Sequence, residues 1–153
     1  MRTLANRRDV ESLLARVAQL HPESPRRWGM MTPAQAIMHL SDSFDTMTGE
    51  KLMVTNAESG LNRTVIKYLA LYAPIPWPHG TRTMPEVDAR RQGTPPREFL
   101  ADRTGLIERM RRFAGRTPDA AGIRHPLFGP LSRAQWLRWG YLHMDHHLRQ
   151  FGC

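Results

Sequence analysis

No stretch of this 153-residue chain alternates apolar and polar residues with the period of two that a half-buried strand requires, and most strand-built folds are thereby excluded. Apolar residues recur three and four apart instead, the spacing that gathers them on one face of a helix. Prolines and glycines stand between those runs, where they break or cap helices. The chain therefore reads as all-α: a four-helix bundle joined by long Pro-rich loops.

The first helix is expected over residues 7–20, with Val10, Leu13, Leu14 and Val17 inward and His21-Pro22 ending it. The second opens on Thr32-Pro33-Ala34-Gln35, a capping box with proline at the first helical position. It should run to Met47 with a stripe of Ile37, Leu40, Phe44 and Met47, and Gly49 is its stop. A shorter helix is expected over 62–72, with Val65, Ile66 and Leu69 inward. An irregular segment, 73–94, follows; loops this long are usually lids, binding loops or disordered segments. After Pro95-Pro96 another helix carries Phe99, Leu106, Met110 and Phe113 on its core face, has Gly105 in its interior and closes at Gly115. A second loop spans 116–130. The last helix opens on a second capping box, Ser132-Arg133-Ala134-Gln135, and runs to Gln150 or Phe151. One domain, 1–153, is expected.

The net charge is +8, from 22 Lys+Arg against 14 Asp+Glu, and nearly all the positive charge is arginine. Such a balance permits attraction to nucleic acid, anionic lipid or acidic substrates. The arginine doublets are dispersed and no run of five cations occurs, so nucleic-acid binding ranks last. The single cysteine, Cys153, cannot form an internal disulfide. The opening residues lack the apolar core of a signal peptide, and the most apolar stretch, 68–76, is too short for a membrane span. A cytoplasmic protein with no membrane partner is expected; a homodimer is allowed.

Three of seven histidines crowd the last helix. His143 and His147 are four residues apart, so their rings lie one above the other and can converge on one ion. His146 points elsewhere, as a surface group, a supporting group, or a ligand in place of His147. Extending the ligand face toward the N-terminus gives Gly140, leaving room near the ion, and Trp136, walling it. A third ligand must come from another helix, and His39, mid-way along the second, is the best candidate. His125, in the second loop, is a weaker one. Asp42, one turn from His39, is a candidate to orient it. Asp145 should be solvated, and Gln150, beyond His147, is placed to meet substrate.

The run His143-Met144-Asp145-His146-His147-Leu148-Arg149-Gln150 resembles the closing metal motif of the DinB/YfiT-like superfamily, and the segment from Met31 to Asp42 resembles that family's first-histidine helix. Trp28-Gly29, Pro74-Ile75-Pro76-Trp77-Pro78, the His125-to-Gly129 loop and the closing Phe151-Gly152 are similar to a branch of that superfamily whose function is not assigned. The resemblance implies a divalent metal, nickel or zinc, held by His39, His143 and His147. It also implies a family that includes transferases and isomerases using low-molecular-weight thiols.

Three neutral imidazoles leave a coordination position open, the pattern of a catalytic site. The expected function is a metal-dependent transferase or hydrolase activating water or a thiol toward a small-molecule substrate. The alternative is a non-catalytic metal- or ligand-binding bundle of the stress-response kind. No general base is evident.

Overall fold

A computed structural model describes residues 1–115 and 123–153. It contains five α-helices and, among the described residues, no strand: α1 Arg7–Ala18, α2 Pro33–Thr48, α3 Lys67–Tyr72, α4 Phe99–Gly115 and α5 Arg133–Gln150. The four longer helices form the bundle. α2 packs most extensively on α4, and α5 lies against α1, α2 and α3. Residues 116–122 of the second expected loop lie outside the described residues. No described helix is long and apolar enough to cross a membrane.

The capping signals act as written. Thr32 Oγ1 accepts from the Gln35 backbone N–H while Gln35 Oε1 accepts from that of Thr32, and Ser132 and Gln135 repeat the exchange at the start of α5. Gly49 closes α2 at φ +79°, a left-handed conformation that residues with a Cβ adopt at a cost. Helix α2 is buried on nearly all sides: Ala36 through Phe44 are all buried, including the polar His39, Ser41, Asp42 and Ser43. The stripe expected from Ile37, Leu40 and Phe44 is broad enough to take His39 with it.

Two expectations change. The segment 62–72 begins with a π-turn, Asn62–Ile66, and only then becomes α-helical. Its inward residue is Leu71, with Ile66 and Ala70 half-buried, whereas Val65 and Leu69 are about half exposed. The wider π-turn shifts the phase of every later residue, so a face computed at 3.6 residues per turn is misplaced. Gly140 does not leave room for an ion either. A Cβ there would sit 2.7 Å from Leu4 Cδ1 and 3.1 Å from Phe113 Cε1. The glycine lets the opening segment and α4 approach α5 closely.

Half-buried ion pairs link the helices. Arg16 of α1 meets Asp145 of α5 at 2.6 Å, so Asp145 is paired rather than solvated, and Arg109 of α4 meets Asp45 of α2 at 2.7 Å. Replacing Gly140 by valine should overpack this seam and lower stability by about 1–3 kcal/mol, read from chemical denaturation midpoints.

Candidate metal centre

His39 comes from the middle of α2, and His143 and His147 from successive turns of α5. One ring nitrogen from each, taken together, lies within 4.8 Å of the other two. The closest pair, His39 Nε2 and His143 Nε2, is 3.0 Å apart. Two nitrogens on one tetrahedral zinc would be separated by about 3.3 Å, given Zn–N bonds of about 2.0–2.1 Å. The cluster is therefore already near the size a first-row divalent ion needs.

Hydrogen bonds fix which nitrogens face inward. His39 Nδ1 is 2.9 Å from the Val87 carbonyl, which can only accept, so Nδ1 carries the proton and Nε2 presents its lone pair. Gln150 Nε2 donates to the Trp28 carbonyl at 2.9 Å, which leaves Oε1 as the acceptor 3.0 Å from His147 Nδ1. His147 Nε2 is then also bare. With both neighbours fixed in this way, His143 Nε2 is the donor of the 3.0 Å contact, and its Nδ1 is buried with no partner. Two of the three rings are thus held in the tautomer a metal requires, and His143 reaches it by moving one proton from Nε2 to Nδ1.

All three rings are neutral near pH 7. Burial pushes the His39 pKa below its ordinary value. Burial, then repulsion from the neighbouring imidazoles, holds His143 and His147 well below it. A neutral imidazole is the form that ligates metal.

The cluster opens on a cavity of about 1010 Å³. The loop 73–94 contributes both wall and support to it. Trp77 lies 6.0 Å from the His143 ring between centroids, its Nε1 donating to the Ala70 carbonyl, while the short turn Pro85–Val87 brings up the carbonyl that His39 uses. Glu86 is buried and pins that turn: its Oε1 accepts from the backbone N–H of Val54 and Thr55 and from the Thr55 hydroxyl.

The supporting candidates sort differently from their sequence reading. Asp42 does not orient His39. Its carboxylate accepts from Lys51 Nζ at 2.6 Å and from the backbone and hydroxyl of Thr94, tying loop to helix. Gln150 is buried and orients His147. Trp136 packs on Phe113, His125 and Trp139, one layer away from the cluster. The indole beside His143 is Trp139, at 5.0 Å, four residues before it and so on the same face by the spacing that pairs His143 with His147. His146 lines the cavity edge at about 6 Å from Trp28, Trp77 and His79. His79, a loop residue with no sequence signal, stacks on Trp28 at 3.9 Å.

His125 stands outside the cluster. Its Nδ1 accepts from the backbone N–H groups of Leu127 and Phe128, and its own backbone pairs with Gly129 in both directions. It caps a tight turn, and Gly129 at φ +69° completes that turn.

A helical bundle with three convergent neutral imidazoles at the wall of a large open cavity is the class of protein that this fold and site define. The chain belongs to the DinB superfamily, whose family model matches residues 3–151. No curated protein and no solved structure matches it.

Burial pushes the His125 pKa down to about 3. Below about pH 6.5 the unfolded chain takes up a proton that the folded one refuses, so stability falls as pH drops from there toward 3, at up to about 1.4 kcal/mol per unit from this group. His125→Asn keeps an acceptor for the turn and removes the titration. Urea melts of this variant should show a shallower loss of stability over that window than the parent.

Proposed function

We propose that this protein is a metal-dependent enzyme that transfers or hydrolyses a group on a small molecule, with His39, His143 and His147 holding one divalent ion, zinc or nickel. The observation that carries this reading is the convergence of three uncharged nitrogen donors beside a cavity large enough for a substrate. Such an ion supplies Lewis acidity, which lowers the pKa of a water or thiol that reaches its open side.

The chain's own residues do the rest. Val87 and Gln150 hold two rings with Nε2 inward, which keeps the ligand atoms aimed without reorganisation. Trp77 and Trp139 cover the His143 ring and exclude water from that side. The cavity orients the small molecule against the cluster, and a low-molecular-weight thiol is the cosubstrate class this reading favours.

One observation favours a second reading, a non-catalytic metal- or ligand-binding bundle. Among the described residues Asp88 is the only carboxylate lining the cavity, and Arg90 pairs with it at 3.2 Å, so no unpaired carboxylate is placed there to act as a general base. Metal-dependent turnover across a panel of thiols and electrophiles separates the two readings: the enzyme reading requires it, and the binding reading predicts none.

Elemental analysis of the purified protein after equilibration with zinc or nickel should give about one ion per chain. His39→Ala and His143→Ala should each reduce this to trace, and unchanged content in both variants would refute the centre. Gln150→Leu removes the acceptor at His147 Nδ1 and should weaken metal affinity by about 10–100-fold in a chelator competition.

A further inference from the structure

The cavity wall has a chemical character that the histidine cluster does not explain. Five of the chain's nine methionines line it: Met30, Met31, Met47, Met53 and Met84. Methionine side chains are unbranched and polarizable, and they adapt to apolar bodies of irregular shape. The same cavity is lined by three arginines against a single aspartate. Arg90 is occupied by Asp88. Arg82 and Arg91 are exposed, and neither forms an ion pair among the described residues, although Arg91 lies near enough to Asp88 to help hold its carboxylate charged. The lining thus combines a soft apolar wall with two guanidinium groups that stand outside any ion pair.

We propose that the cavity takes an amphipathic organic anion, its apolar body against the methionine wall and its carboxylate held by Arg82 and Arg91. Guanidinium groups bind a carboxylate through charge-assisted, often paired, hydrogen bonds, and no carboxylate in the cavity is free to compete for them. A cationic molecule of the same length meets two unpaired positive charges and is rejected. A neutral one gains the apolar contacts alone. The inference rests on the metal-centre reading only for what becomes of the bound molecule, because the arginine contacts form with or without an ion.

The test uses the full chain, stripped of metal, titrated with octanoate, octan-1-ol and octylamine. Binding is read from tryptophan fluorescence, to which the cavity-lining Trp28, Trp77 and Trp139 contribute, and checked by calorimetry. Octanoate should bind about tenfold more tightly than octan-1-ol, with octylamine the weakest of the three. In the double variant Arg82→Gln/Arg91→Gln the preference for octanoate should vanish while affinity for octan-1-ol holds. Both positions are exposed, and an unchanged melting temperature verifies that the variant is folded. Equal binding of octanoate and octan-1-ol by the parent, or a preference that survives the double variant, overturns the proposal. So does a preference that appears only after zinc is added, since the ion and not the arginines would then hold the carboxylate; that outcome leaves the metal centre standing. Arginine-dependent preference in a protein that takes up no zinc sustains this inference and removes the metal centre.

Discussion

Three uncharged imidazoles face one another across the seam between α2 and α5, with ring centroids 4.6–5.1 Å apart. Placing two imidazolium charges at that distance would cost about 3 kcal/mol even at an effective dielectric of ~20. Burial adds a further penalty on each charge. The seam can close only if the rings stay neutral, and neutral rings need partners for their nitrogens. The rest of the architecture supplies those partners or holds them in place. The loop 73–94 delivers the Val87 carbonyl, the closing turn of α5 delivers Gln150, and Glu86, Asp42 and Lys51 fasten the loops to the bundle.

The helices were legible because their signals are local. Both capping boxes, the glycine stop of α2 and the apolar faces of α1, α2 and α4 can be read from residues a turn apart. The faces of 62–72 are not legible in this way because a π-turn changes the residues per turn without a compositional mark. The cluster itself was foreshadowed by the four-residue spacing of His143 and His147 and by the central place of His39 in α2. Trp139 lies four residues before His143 and is within reach of the same rule, although the ligand face extended by seven residues points to Trp136 as the wall.

What supports the cluster was not legible, and the reason is physical. His39 is oriented by a backbone carbonyl 48 residues away, which any residue type at position 87 would supply. Asp42 sits one turn from His39 but is claimed by Lys51 and Thr94, partners brought in by loops that carry no periodic signal. Trp28-Gly29 stands out in the sequence as a pair without a stated role. In the folded chain Gln150 donates to the Trp28 carbonyl, and a Cβ on Gly29 would lie 2.6 Å from Gln150 Nε2, so the pair exists to let that side chain approach.

The use of the Val87 carbonyl has a consequence for how this centre can drift over generations. A side-chain partner is lost in one substitution, whereas a peptide oxygen survives every substitution that keeps the turn in place. Variation at position 87 is therefore filtered by its fit under the loop and not by its chemistry toward the imidazole. Erosion of the ring's orientation would begin instead at Glu86, whose buried carboxylate ties that turn to residues 54 and 55.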